Sequence, residues 1–312
     1  MKNTLKLVSF VTSDNITLPG LLYEPEKKTD KVAIYLHGNG SSSIFYGADK
    51  MNLFGESFNK VGVSFFPFNN RGAHWIKKLN RKINGKEERV PYGMTYELIK
   101  ECIFDIDGAI SFLKKLEYKT FYLIGGSTGA NKIVVYHYYR RKNPVSKYIL
   151  LSGGDDTGLY YEFEFKKSRK KFFNILKQCK EKIRQGKGRD LVPKYILKEP
   201  LISYQSLYDT INPDGDYNIF PYNEYINKLK FSKKPLFREY KTVDKPTLVI
   251  YGELDEYCYG NVPGCVEILK KESASWRTNP KLFTFKIIKG TDHGFTGKEE
   301  ELTQAISNWL RV

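Results

Sequence analysis

The stretch "YLIGGSTGANKI", residues 122–133, sets one serine on a bend between an apolar run and a segment of helical character. Gly125, Gly126, Ser127, Thr128 and Gly129 spell G-x-S-x-G. Glycines let the backbone turn sharply and remove bulk beside the hydroxyl; a strand before and a helix after are what a nucleophile elbow requires. The helix also directs its first N–H groups at an oxygen reacting there. Ser127 is the candidate nucleophile, set against the plainer role of a turn serine.

A serine hydroxyl attacks at neutral pH only when a base takes its proton. Of the four histidines, His293 lies in a Gly-rich loop, "GTDHGFTG", after the last expected strand. His37 sits in a glycine turn at a strand end, His74 in a long loop, and His137 among tyrosines on the helix after Ser127. His293 is the candidate base. Its tautomer needs a carboxylate to hold it, and Asp255 ends "PTLVIYGELD", with Glu253 and Glu256 as neighbouring alternatives. Asp292 adjoins His293 and is expected to point elsewhere. Negative charge developing on a carbonyl oxygen needs preorganised N–H donors; the amides of Asn39, in "YLHGNGSSS", and of Thr128 can supply them. Asp255 is favoured because Ser, Asp, His in that chain order, each at a strand end, is a hydrolase arrangement.

The elements that position these residues follow from periodicity. Eight short apolar or β-branched runs are expected as strands: "LKLVSFVT", "ITLPGLLYE", "KVAIYLHG", "VSFFPFNN", "FYLIGG", "KYILLSGG", "TLVIYGELD" and "LFTFKIIKG". The first two form a hairpin around Asp14 and Asn15, so the sheet is mixed at that edge, and the rest are buried parallel strands. Helical segments start near Phe45, near Tyr96 and after Ser127, with a last helix in "EEELTQAISNWL"; Ile99, Ile103, Ile106 and Ile110 mark a stripe that packs on the sheet. About ninety residues separate "YILLSGG" from "TLVIYGELD", too many for an ordinary connection. Residues 155–243 are therefore expected to be an inserted cap over a core formed by 1–154 and 244–312. "RGAHWIKKLNRKINGKEERVPYG" is expected to rim the same edge.

The 312 residues are 41% hydrophobic and 28% charged, which excludes wholesale disorder. No apolar run approaches the length of a membrane span, and no leader pattern opens the chain, so a cytoplasmic protein is expected. Cys102, Cys179, Cys258 and Cys265 make neither a CxxC pair nor a metal-ligand spacing with the histidines, so free thiols and no metal are expected. The net charge of +16 is spread along the chain, and only residues 166–189 concentrate it. There Phe172, Leu176, Cys179 and Ile183 recur at helical spacing, so the lysines read as the wet face of a cap helix rather than a nucleic-acid site.

With "LHGNG", "NNRG", "GGSTG", "YGELD" and "GTDHGF" following successive strands, the chain resembles the serine hydrolases of the α/β-hydrolase superfamily over nearly its whole length. The resemblance implies nucleophile Ser127, acid Asp255, base His293, oxyanion donors Asn39 and Thr128, no cofactor, and a small-molecule ester or amide substrate. A carboxylesterase is the expected activity, with a peptidase or amidase, or an inactive hydrolase-fold binding protein, as alternatives. More narrowly, "GGSTGANK" followed by "YILLSGGDD" is similar to the esterase-like group related to fungal siderophore esterases. Gly126 stands where many of those relatives have histidine, which is expected to leave more room beside Ser127.

Overall fold

The computed structural model describes residues 4–45, 47–198, 201–274 and 280–311. The expected alternation is present: β1 (Thr4–Val11), β2 (Thr17–Glu24), β3 (Lys31–Leu36), α1 (Ala48–Asn59) and β4 (Ser64–Pro67) are followed by β5 (Lys77–Ile83), β6 (Lys86–Tyr92) and α2 (Cys102–Lys115). Then come β7 (Thr120–Gly126), α3 (Thr128–Tyr139) and β8 (Val145–Leu151). Between β8 and β9 (Thr247–Gly252) lie α4 (Asp156–Leu159), α5 (Arg169–Arg184), α6 (Tyr204–Ile211) and α7 (Tyr222–Asn227). α8 (Val262–Ser273), β10 (Phe283–Ile288) and α9 (Glu299–Arg311) complete the order.

Eight strands form one sheet in the order β1-β2-β4-β3-β7-β8-β9-β10. β1 and β2 pair antiparallel around Asn15, whose φ is 69°, and β2 meets β4 antiparallel; every other pairing is parallel. Central strands buried on both faces explain the unbroken apolar runs. One face packs against α2, α3 and α8 through residues such as Ile103, Ile106, Ile133 and Val266; the other packs against α1 and α9 through Phe54, Phe58, Leu302 and Ile306. The Ile99 stripe is buried as expected. Parallel registers Leu36↔Gly125, Gly126↔Leu151, Leu151↔Ile250 and Ile288↔Gly252 align the strand ends. Residues 37–41, 127, 152–156, 253–257 and 289–294 thereby leave the sheet along one carboxyl edge, where open α/β sheets keep their ligands.

Two elements depart from the sequence reading. The rim segment is a β-hairpin, β5–β6, closed by Asn84 (φ 49°) and Gly85 (φ 81°). Its Asn-Gly turn is the strongest short-range hairpin signal. α8 was not anticipated; Asn261 caps it by accepting the Gly264 N–H at 2.9 Å.

The β8–β9 segment divides its packing. Phe165, Phe172, Ile175, Cys179, Leu207 and Ile211 form a cluster of their own, whereas Tyr217, Phe220, Tyr222, Phe237 and Tyr240 join the main core. In α5 the buried face centres on Phe172, Ile175 and Cys179, with Leu176 at its margin and the lysines outward. No helix among the described residues is long and apolar enough to cross a membrane.

Candidate active site

Ser127 lies on the turn between β7 and α3 at φ 55° and ψ −130°, a backbone region that L-residues rarely occupy. The neighbouring glycines make the turn possible. A Cβ on Gly125 would collide with the Gly129 carbonyl, and one on Gly129 with the Leu36 carbonyl of β3. A Cβ on Gly38 would lie 2.8 Å from the Ser127 Cβ, so the loop after β3 presses on the elbow without side-chain bulk. The Ser127 N–H is anchored on the Leu151 carbonyl at 2.8 Å.

The room expected beside Ser127 is bounded on the Gly126 side by a neighbouring strand. Tyr35 on β3 sets its hydroxyl 2.7 Å from where a Gly126 Cβ would be, so a ring from a neighbouring strand fills the space that the missing side chain vacates. Burial pushes the Tyr35 phenol up to about 12, keeping it a neutral hydroxyl.

His293, after β10, and Asp255, after β9, meet across adjacent strand ends. Nδ1 lies 2.9 Å from one Asp255 carboxylate oxygen and 3.0 Å from the other. The carboxylate accepts only if Nδ1 carries the proton, which leaves Nε2 with its lone pair. Asp255 is buried and also accepts the Tyr257 N–H at 3.0 Å, while the Tyr257 ring meets the imidazole edge-on at 4.6 Å. The alternative carboxylates hold the backbone: Glu253 accepts from the Gly290 N–H and Glu256 from the His293 N–H. Asp292 turns to the Thr296 N–H and hydroxyl, as expected. A Cβ on Gly252 would strike the Asp292 carbonyl, so glycine lets the two loops close on each other.

His37 and His137 serve the scaffold. His37 donates from Nδ1 to the Gly38 carbonyl at 2.9 Å and accepts the Asn70 N–H on Nε2 at 3.1 Å. Burial holds its pKa well below the ordinary value. This bond explains "NNRG": Asn69 accepts the Ser43 and Ile44 amides, Asn70 braces His37, and buried Arg71 bonds Asp14 and Asp105. That brace holds the loop carrying Asn39. His137 is buried against Tyr148 and the Thr242 carbonyl.

Ser127, His293, Asn39 and Thr128 line one cavity of about 450 Å³. Among the described residues no acceptor takes the Asn39 or Thr128 amide, and no hydrogen bond yet joins the Ser127 hydroxyl to the imidazole. Tyr35, Lys50, Asp156 and Tyr257 are among the lining residues that the sequence reading missed. The acidic pair closing "YILLSGGDD", at a strand's carboxyl end, was the available signal for Asp156. Asn131 ties that turn to α3, donating to the Gly154 carbonyl at 2.8 Å and accepting its N–H at 3.1 Å. No cluster of three His, Cys, Asp or Glu arranged for a metal occurs among the described residues.

A family model described as "Protein of unknown function (DUF1749)" matches residues 97–311. The chain belongs to this family. The match takes in Ser127, Thr128, Asp255 and His293, whereas Asn39 precedes it. Comparison with curated protein sequences gave no match. Among solved structures, the chain is similar to the α/β-hydrolase GrgF from Penicillium sp. sh18, at 17% identity and a TM-score of 0.61, covering 97% of this chain and 96% of that one. Est1E from Butyrivibrio proteoclasticus matches at 14% identity and a TM-score of 0.58, covering 97% of each chain. The esterase Pf2001 of Pyrococcus furiosus matches at 17% and 0.57, covering 99% of this chain and 92% of that one. The DUF1749 chain thus has the α/β-hydrolase fold.

Proposed function

We propose that the protein is a serine hydrolase that cleaves a small to medium carboxylic ester through an acyl-enzyme on Ser127. The observation that carries this reading is the His293–Asp255 bond, which leaves a free Nε2 in the cavity that Ser127 lines. The ester carbonyl carbon lies against Ser127 Oγ as Nε2 takes the hydroxyl proton, a contact that substrate entry tightens. The new imidazolium is stabilised by the Asp255 carboxylate, and the oxyanion by the Asn39 and Thr128 amides, which have no other acceptor among the described residues. As the tetrahedral adduct collapses, Nε2 returns its proton to the leaving alcohol. Water, losing a proton to the same nitrogen, then frees the carboxylic acid and restores Ser127.

Residues 155–243 act in this reading as a cap: Asp156 and Leu159 line the cavity, so the segment sets which acyl and alcohol groups enter. A fluorophosphonate probe should label the wild type and leave Ser127→Ala unlabelled at unchanged thermal stability. Equal labelling of a folded Ser127→Ala protein would refute the assignment.

A further inference from the structure

The cavity wall holds one carboxyl group that the proposed mechanism does not use. Asp156, the first residue of α4, lines the cavity with Ser127 and His293. Protein encloses it on every side but the cavity, which wets its edge. Its partners are uncharged and distant: the Thr128 hydroxyl at 3.4 and 3.5 Å, and the Asn131 amide at 3.3 Å. Among the described residues it forms no ion pair. Lys50, the cation across the cavity, is already engaged: its ammonium donates to the Gly294 carbonyl at 2.8 Å and lies 5.5 Å from the Phe295 ring centroid.

A desolvated carboxylate without a cation is costly. Here it also stands beside Thr128, whose amide is a candidate donor to a developing oxyanion, so its charge opposes the negative charge that ester cleavage creates. A positive charge on the substrate removes both penalties together. We infer that Asp156 is a specificity-determining residue that receives an ammonium group, so that the preferred substrates are esters carrying a protonated amine. The inference rests on the serine-hydrolase reading of this cavity.

Burial raises the Asp156 carboxyl to about 6; His293 and Lys132, which is paired with Glu97, pull it down, and Glu97 pushes it up. Asp155, Tyr160, Tyr217 and Tyr257 complete its titratable surroundings. The sign is clear: as pH rises through about 6 the carboxyl ionises, gaining attraction for an ammonium while hindering neutral esters. The preference for charged esters therefore grows with pH.

Two isosteric pairs test this, one for each side of the ester bond: 2-(dimethylamino)ethyl butanoate against 3-methylbutyl butanoate, and methyl 4-(dimethylamino)butanoate against methyl 5-methylhexanoate. In at least one pair the charged ester should have the higher kcat/KM by roughly tenfold or more, the worth of one charged hydrogen bond. That ratio should rise between pH 5 and 8 and fall towards one in Asp156→Asn, whereas a merely structural role would lower both esters alike. The pH dependence of the wild type gives the answer even if the variant does not fold. Hydrolysis of all four esters with no charge preference, or a preference that Asp156→Asn keeps, overturns the inference and spares the hydrolase. No hydrolysis and no fluorophosphonate labelling would instead overturn the hydrolase reading.

Discussion

The Tyr35 hydroxyl and the α-carbon of Gly126 occupy complementary space, with 2.7 Å between that oxygen and the Cβ position glycine leaves empty. The ring cannot retreat easily, because it packs against Phe54 and Phe65 at centroid distances of 5.8 and 6.2 Å. Gly126→Ala should therefore destabilise the protein by about 1–3 kcal/mol, the usual cost of overpacking. In Tyr35→Phe the nearest ring atom is 3.6 Å away, an ordinary contact, so the double variant should recover most of the loss. Denaturant titration of the four proteins in a double-mutant cycle measures the coupling; additive effects would contradict the contact.

Removing charge from the acid without removing its shape separates catalysis from folding. Asp255→Asn should lower kcat roughly 10³–10⁴-fold, because an amide neither fixes the Nδ1–H tautomer nor stabilises the imidazolium. Glu256→Gln should change kcat by less than about threefold, since this side chain accepts only a backbone N–H from His293, on the exposed side of the loop. Ester turnover by the two variants is the measurement. A larger loss in Glu256→Gln would exchange their roles.

The elbow's glycines meet backbone, which has less freedom to yield than a side chain. Gly129→Ala drives a methyl group into the Leu36 carbonyl and should cost more stability than Gly126→Ala, with loss of fluorophosphonate labelling. Thermal unfolding of both variants ranks them, and a Gly129→Ala protein as stable as the wild type would be inconsistent with this close approach.

Two buried carboxyls make stability depend on pH. Burial raises Asp155, which accepts the Asn223 and Gly158 amides, and Asp209, which accepts the Ile99 amide at 2.8 Å, each to about 7. Unfolded, both ionise near 4. A raised folded-state pKa on an acid contributes stability that is whole below pH 4 and is lost as pH climbs through 7. Urea midpoints should show this component falling between pH 5 and 8 in the wild type and falling less in Asp209→Asn, whose amide oxygen can still accept the Ile99 N–H. Parallel pH profiles would rule the contribution out.

The fold was legible because its signals are local. Uninterrupted apolar runs report strands buried on both faces, and the Ile99 stripe reports a helix face on the sheet. The Asn84-Gly85 turn signal is equally local, but the charged segment around it lacks the apolar runs that mark strands. The composition of α5 identified its buried face but placed the centre one residue late, on Leu176 rather than Ile175.

Sequence by itself determined which strand ends carry Ser127, His293, Asp255, Asn39 and Thr128, because the glycines and the strand periodicity lie within a few residues of each. Tertiary structure alone decided which carboxylate meets His293, that Tyr35 fills the space beside Gly126, and that Asp156 lines the cavity with no ion-pair partner among the described residues. These relations join residues far apart in the chain, 38 positions for His293 and Asp255, and loop closure brings such groups together only through the register of the whole sheet. Neighbour-to-neighbour patterns carry no record of that register.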